Sequence, residues 1–259
     1  MNISTLDTTK PPTLESTPLL GDKSKTPDAL ESQAPDTVLY LAYGSNLCRK
    51  TFVGRRHIHP RAAHAVVVPS LTLAFNLNGL PYIEPRFANV CARAPGDRAL
   101  VGVAYEISRA ELAQIMATEG GGAAYRLVDI DCTLLGSGTR VVAQTLQADG
   151  GRAAPGRPTT RYLGLLRDGA HEHALPQEYR EWLDGLDGYA REGWRGVAGA
   201  VLVAAIWVLP TIAVMLASKA LAGKDGTAPR WLVGVQRALE RSMWATYDGV
   251  LCRVFGPGE

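Results

Sequence analysis

The sequence predicts an α+β fold in which a mixed β-barrel, or a strongly curled sheet, carries a few flanking helices. Over the first two thirds of the chain, segments with the composition of strands outnumber segments with helical spacing. The two kinds of segment do not alternate regularly, which favours the α+β class. Hydrophobic residues make up 46% of the 259 positions, so the chain can bury a sizeable core.

The predicted sheet is built from six strand candidates. The first is the apolar run over residues 38–42, which is short enough to be a buried strand and ends at a Gly-Ser-Asn turn. The other candidates cover residues 65–68, 71–77, 100–107, 125–135 and 141–147. The segment over residues 125–135 alternates in part, as expected for a half-exposed strand.

Two helices are predicted within the same part of the chain. Ser108 is placed to cap a short helix, and Glu111, three residues further on, completes a capping box. A second helix opens at Pro176, which suits the first turn, and apolar side chains from Tyr179 onward recur at helical spacing. These elements belong to a domain that we expect to cover residues 37–192.

Composition excludes several classes of protein. Residues 1–36 are rich in Thr, Ser, Pro, Lys and Asp, and such a segment buries too little apolar area to offset its ordering entropy, so it is predicted to be disordered. No secretory signal is visible at the N-terminus. The net charge of +2 gives no argument for a nucleic-acid partner. The four cysteines lie far apart in sequence and are expected to be reduced thiols.

The last third of the chain has a different composition. A stretch with no charged residue begins at Val197 and ends at Ser218, with Arg195 before it and Lys219 after it. A bilayer core takes roughly 20 apolar residues as a helix, so residues 197–218 are predicted to form a transmembrane helix. A buried core helix is the alternative, although soluble helices of this length usually show a polar stripe.

An amphipathic helix is predicted over residues 229–255. Trp231, Val235, Leu239 and Met243 recur every four residues, and charged side chains occupy other faces of the helix. This pattern is typical of a helix that lies on a membrane surface or packs against the rest of the protein.

Two short segments have the composition of a binding site. In the first, Tyr43-Gly44-Ser45-Asn46-Leu47, a glycine in a strand-ending turn lets backbone N–H groups converge on an anion, although most such turns are merely turns. In the second, Glu119 stands between a short helix and a glycine run. A glutamate in this position is most often a solvated loop residue, unless its carboxylate faces a pocket.

The order of these segments resembles the γ-glutamyl cyclotransferase family. The resemblance covers roughly residues 37–190, and it rests on matching segments that are separated along the chain: 40–47, 71–76, 101–107, 118–125, 158–166 and 175–179. Residues 80–89 are similar to the fungal members that process glutathione adducts in epipolythiodioxopiperazine (gliotoxin-type) toxin pathways. The N-terminal extension and the apolar C-terminal segment depart from the simple soluble pattern of the family.

The resemblance implies a reaction and a set of site residues. The α-amine of a γ-glutamyl amide attacks its own γ-carbonyl, which closes 5-oxoproline and expels an amine. Glu119 matches the catalytic acid/base of the family, and the loop from Tyr43 to Leu47 matches its substrate-binding loop. Tyr125 is expected to hydrogen-bond the glutamyl end or Glu119, or to be a buried structural tyrosine. No cofactor and no metal are expected.

The expected substrate is a glutathione-derived conjugate in fungal secondary metabolism. Free glutathione and γ-glutamyl amino acids are the alternative substrates, and an inactive, membrane-tethered binding module is the alternative from another class. We expect membrane association through residues 197–218 with the catalytic domain facing the cytosol, since no signal peptide precedes that domain; a cytoplasmic protein is the alternative. The histidines at positions 57, 59, 64, 171 and 173 are interpreted as solvated side chains rather than metal ligands.

Overall fold

A computed structural model describes residues 36–119, 125–148, 152 and 155–259 of the chain. The predicted disordered extension therefore lies outside the described residues, apart from Asp36. The glycine run at residues 120–122 also lies outside the described residues.

A closed five-stranded barrel forms the centre of the described chain. It consists of β1 (Thr37–Ala42), β2 (Ala62–Val68), β5 (Leu100–Ser108), β6 (Tyr125–Leu134) and β7 (Arg140–Ala148), in the order β1-β5-β2-β6-β7. Neighbouring strands are antiparallel, except where β1 meets β7 in parallel and closes the barrel. The predicted mixed barrel is thus confirmed. Apolar side chains such as Leu41, Val66 and Val103 fill its interior and are fully buried.

A separate hairpin stands beside the barrel. It pairs β3 (Leu71–Leu80) with β4 (Glu84–Ala92). Strand β3 alternates between buried and half-buried side chains, as its sequence predicts. The pattern of the sequence does not predict β4, because polar residues interrupt it.

Three helices pack around the barrel: α1 (Arg109–Thr118), α2 (Thr160–Glu172) and α3 (Gln177–Asp184). The predicted capping box of α1 is present. The Glu111 backbone N–H donates to the Ser108 hydroxyl over 3.2 Å, and the Ser108 N–H donates to the Glu111 carboxylate over 2.9 Å. Helix α2 begins with a similar bond, from the Tyr162 N–H to the Thr159 hydroxyl.

The C-terminal part of the chain forms two long helices that lie side by side. The first joins α4 (Gly193–Val203) to α5 (Leu209–Ala220) through a π-helical turn at Ala204–Val208. The second joins α6 (Arg230–Thr246) to α7 (Cys252–Phe255) through another π-helical turn. A second apolar core holds these helices to the β3–β4 hairpin, with residues such as Tyr82, Val203 and Tyr247.

The first long helix is apolar and mostly exposed. Gly193–Ala220 is long and apolar enough to cross a membrane, and only 11% of its most apolar window is buried. That length and composition are weak evidence for a span, because the core helix of a soluble protein can pass the same test.

The four-residue repeat in the second helix does not form one buried stripe. Trp231 and Val235 are exposed, whereas Met243 is buried together with Trp244. A helix has 3.6 residues per turn, so positions four apart drift around its axis and the repeat spirals from the outer to the inner face.

Candidate active site

The loop that follows β1 forms a tight turn at one end of the barrel. Residues Ser45–Leu47 make a single 3₁₀ turn, in which the Leu47 N–H donates to the Gly44 carbonyl over 3.0 Å. The Tyr43 hydroxyl donates to the carbonyl of Leu146 on β7, which fastens the start of the loop to the barrel.

Gly44 is required by a close approach rather than by a left-handed backbone. Its φ of −109° is open to other residues. A Cβ at this position, however, would lie 3.1 Å from the Tyr162 hydroxyl and 3.4 Å from the Ala88 Cβ. Helix α2 therefore presses Tyr162 against the loop, and only a residue without a side chain fits comfortably there.

Glu119 follows the last residue of α1. Its backbone N–H donates to the carbonyls of Ile115 and Met116, which extends the helical pattern to this position. The side chain turns towards the loop, and 23% of its surface is accessible. Its carboxylate forms an ion pair with Arg56 and lies 3.5 Å from the Asn46 side-chain nitrogen.

Arg56 joins the loop to Glu119, and no pattern in the sequence predicts this role. Its Nε donates to the Asn46 side-chain oxygen over 2.7 Å, while its terminal nitrogens reach Thr118 and Glu119. Asn46 in turn donates to the Tyr40 hydroxyl over 2.9 Å. Arg56 follows the π-helical turn Lys50–Arg55, and no spacing rule connects it to a residue more than sixty positions away.

Opposing effects set the charge of Glu119. Burial raises the pKa of the Glu119 carboxyl, while the Arg56 guanidinium and the hydrogen bond from Asn46 lower it. Burial is the largest of these effects, so the net direction is upward. A carboxyl of this kind can hold a proton near neutral pH more readily than a solvated glutamate can.

Three buried tyrosines and the half-buried Tyr125 surround this carboxyl. Burial is the main cause that raises the pKa of Tyr40, Tyr43, Tyr125 and Tyr162 above the ordinary range, and the Glu119 charge adds to the effect on each of them. These hydroxyls therefore stay protonated and neutral. They offer hydrogen bonds beside the Glu119 carboxyl without adding charge.

A cavity of about 640 Å³ opens between these residues and the C-terminal helices. The predicted residues Tyr43, Gly44, Ser45, Asn46, Glu119 and Tyr125 all line it. Leu47 does not, because its side chain is buried in the core and its carbonyl accepts a hydrogen bond from Tyr105. Its place in the predicted loop is therefore a packing role. Arg55, Arg56 and Arg161 supply positive charge to the wall.

Glu84 and Arg86 on β4 do not pair with each other. Glu84 binds Thr159 and Arg161. Arg86 is buried, donates to Asn78 over 2.5 Å and forms an ion pair with Glu259.

The other candidates from the sequence lie away from the cavity. Cys48 is buried beneath the loop. His173 lies 2.7 Å from the Tyr105 hydroxyl, and burial lowers the pKa of its ring. Among the residues that the structure describes, no three His, Cys, Asp or Glu side chains are grouped as metal ligands.

Comparison with known proteins gives two family matches. The AIG2-like family matches residues 99–183, and the family described as the AclK C-terminal domain matches residues 193–254. The second match covers the two long helices, including the part that lines the cavity.

Curated relatives match most of the chain. γ-Glutamyl cyclotransferase gliK of Aspergillus fumigatus is 30% identical over 244 residues, which are 86% of this chain and 89% of the relative. γ-Glutamyl cyclotransferase aclK of Aspergillus oryzae is 32% identical over 250 residues, with 86% and 90% covered.

Solved structures share the fold of the described chain. A γ-glutamyl cyclotransferase and the human protein loc79017 are each 21% identical to this chain, with TM-scores of 0.52 and 0.53. Each alignment covers 61% of this chain and 92% of the other protein.

Proposed function

The chain belongs to the γ-glutamyl cyclotransferase family and is a cyclotransferase, and we propose that it releases 5-oxoproline from a γ-glutamyl amide with Glu119 as the acid/base. The observation that carries this proposal is the half-buried Glu119 carboxyl, which lines the cavity beside the loop that follows β1.

The reaction requires little more than positioning and proton transfer. The α-nitrogen bonds to the γ-carbonyl carbon and the bond from that carbon to the leaving nitrogen breaks. Because the attack is intramolecular, holding the glutamyl chain in one rotamer removes much of the entropic part of the activation barrier. One proton of the α-ammonium passes through Glu119 to the leaving nitrogen, and a second is lost to solvent.

The raised pKa of Glu119 suits both halves of that transfer. A base accepts a proton and then returns it most effectively when its pKa lies near the working pH. Burial moves the carboxyl in that direction, and Arg56 limits the shift. Arg56 also fixes the carboxylate relative to Asn46, so we assign it a positioning role.

The loop is proposed to hold the glutamyl end. Ser45 and Asn46 line the cavity, and we assign their polar groups to the α-carboxylate or to the developing oxyanion; the Ser45 backbone N–H also contacts the Tyr162 hydroxyl. Tyr43 holds the loop on β7, and Tyr125 offers a neutral hydroxyl on the same wall. Arg55 supplies a cation for the free carboxylate of a peptide substrate.

The proposed substrate is a glutathione-derived conjugate in fungal secondary metabolism, with free glutathione and γ-glutamyl amino acids as alternatives. The relatives gliK and aclK are γ-glutamyl cyclotransferases, which supports the γ-glutamyl chemistry. The test is to incubate the purified chain with glutathione, an S-substituted glutathione and γ-glutamyl-alanine and to measure 5-oxoproline. Absence of 5-oxoproline with all three would reject the proposal.

We further propose that the chain associates with a membrane through the apolar helix, with the catalytic domain facing the cytosol. The exposed apolar face of Gly193–Ala220 supports the association, and the orientation is left to the protease test.

A further inference from the structure

The cavity has a wall that the chemistry at Glu119 does not use. It is formed by the end of β3 and by helices α5 and α6, and we call it the helix-side wall. Its residues are Leu77, Asn78, Leu80, Thr211, Val214, Met215, Gln236, Leu239, Glu240 and Met243. Six of these ten are apolar.

The size of the cavity indicates a substrate with a large leaving side. At about 640 Å³ the cavity lies within the usual range for drug-sized ligands, roughly 300–1,000 Å³. A glutamyl group is only a few methylenes with an amine and a carboxylate, so it occupies a minor part of that space. The remainder is bounded in part by the helix-side wall.

The charge of the wall indicates what fills it. Among the described residues of the helix-side wall, none is a cation and one is a carboxylic acid, Glu240. Asn78 donates to Glu240 and is itself held by Arg86. Burial raises the pKa of the Glu240 carboxyl, opposed by Asn78 and Arg237. The Glu240 oxygens therefore accept hydrogen bonds within a largely apolar surface, and an anion is disfavoured because that surface desolvates it while no cation stands among the described wall residues.

We propose that the helix-side wall is the subsite for the leaving side of the substrate, and that it takes an uncharged, apolar substituent carrying N–H or O–H donors. On a glutathione conjugate this substituent is the group linked to sulfur. The inference rests on the proposed function, and it makes Leu239 and Glu240 determinants of specificity.

Binding can be measured without turnover in the full-length Glu119→Gln protein. Calorimetry with glutathione, S-benzylglutathione and S-(4-carboxybenzyl)glutathione separates the effects of size and charge. We expect S-benzylglutathione to bind about tenfold or more tightly than glutathione, because a phenyl group leaves water. The carboxybenzyl compound should lose that gain, because its carboxylate meets Glu240.

Two further variants in the same background locate the subsite. Glu240→Gln should improve binding of the carboxybenzyl compound about tenfold and leave S-benzylglutathione within about threefold. Leu239→Asp should remove the gain of the benzyl compound. Val235→Glu, on the exposed part of the same helix, is the matched control and should leave the affinities for S-benzylglutathione and for the carboxybenzyl compound unchanged.

Equal affinity for the three compounds would overturn the inference. An equal loss of affinity for S-benzylglutathione in Val235→Glu and Leu239→Asp would also overturn it. Release of 5-oxoproline by the unmodified protein, measured in parallel, keeps the two proposals apart. If S-benzylglutathione binds more tightly than glutathione but no 5-oxoproline is released, the subsite is supported and the reaction is rejected. If 5-oxoproline is released but S-benzylglutathione binds no more tightly, the reaction is supported and the subsite is rejected.

Discussion

Glu119 is held between effects that act in opposite directions. Burial favours its neutral form, and contact with Arg56 and Asn46 favours its charged form. A carboxyl that can exist in either form is suited to taking up a proton and returning it within one turnover. This balance depends on side chains from three separate segments, so single substitutions in any of them test it.

Glu119→Gln should lower kcat by about 10²–10⁴-fold, since the amide keeps the shape of the side chain but cannot transfer protons. Its side-chain oxygen can still accept from Arg56, so the thermal midpoint should change little. The measurement is 5-oxoproline release, with Glu178→Gln as the control because that carboxylate is exposed on α3. Activity within a few-fold of the unmodified protein would reject Glu119 as the acid/base.

Arg56→Gln should move the acid limb of the pH–rate profile to higher pH. The guanidinium lowers the pKa of Glu119, so its loss leaves burial less opposed and the carboxyl holds its proton to a higher pH. If ionised Glu119 is the active form, activity then falls most at the acid end. The profile of kcat/KM against pH measures the shift, and Arg56→Lys should restore part of it. A uniform loss at every pH would instead indicate that Arg56 acts only through folding.

The sequence predicted one side of the site better than the other. The loop residues and Glu119 are recognisable because they form short local segments. Arg56 is not, because its contacts with Asn46 and Glu119 exist only after the barrel has closed. The helix-side wall was missed for a related reason: the apolar residues of α5 indicate burial or a membrane equally well, and composition does not show which of them line a cavity.

Strand β4 shows why the alternation of apolar and polar residues can fail to predict a strand. Its residues Glu84, Arg86 and Asn89 are all buried, although a buried strand is expected to be apolar. Each has at least one partner that no local rule supplies, although the Arg86 Nε has none; Asn89, for example, donates to Asn76 over 3.0 Å and accepts from the Ala148 N–H. Buried polar groups with partners are tolerated, so the strand forms despite its polar composition.

Helix α2 was missed because glycine weakens the helical signal, by about 1 kcal/mol relative to alanine. Its two glycines have different surroundings. A Cβ at Gly169 would lie 2.5 Å from the Leu47 carbonyl carbon and 2.6 Å from the Cys48 nitrogen, whereas a Cβ at Gly164 meets nothing within 4 Å. Gly169 thus lets α2 approach the backbone at the end of the 3₁₀ turn.

The two glycines form a matched pair for a test of this packing. Gly164→Ala should stabilise the protein by about 0.5–1 kcal/mol through helix propensity alone and leave KM unchanged. Gly169→Ala should destabilise it, because overpacking costs about 1–3 kcal/mol, and should raise KM by displacing the turn. Urea unfolding and steady-state kinetics measure both effects. Equal behaviour of the two variants would show that α2 does not position the loop.

The long apolar helix has the cavity that contains Glu119 on one side and bare apolar surface on another. Thr211, Val214 and Met215 line the cavity, and Ser218 is buried against α6, where its hydroxyl lies 3.5 Å from Gln236. Exposed apolar residues recur at helical spacing: Val197, Val201, Leu209, Ile212 and Leu216.

The ends of this helix have the residues that favour a membrane interface. Trp194 and Trp231, which lie at the start of the two long helices, are 74% and 64% exposed. Arg191 and Arg195 stand at one end of the apolar helix, and Lys219 at the other. Tryptophan and basic side chains are enriched where apolar helices meet the headgroups of a bilayer. Because cations stand at both ends, they do not set an orientation.

We therefore expect the full-length protein to float with liposomes that contain anionic lipid. The paired change Leu209→Lys and Leu216→Lys places two charges on the exposed face and should release the protein, since each lysine costs about 2.5–3.5 kcal/mol at the centre of a bilayer. Glu178→Lys, on exposed α3, is the control for added positive charge.

Resistance to carbonate extraction from cells would support a span, and flotation that carbonate reverses would support a helix lying on the surface. An unmodified protein that stays with the soluble fraction in both assays would show that the apolar face does not contact a membrane. If the protein is membrane-bound, digestion of the catalytic domain by protease added outside sealed vesicles supports the cytosolic orientation, and its protection would contradict it.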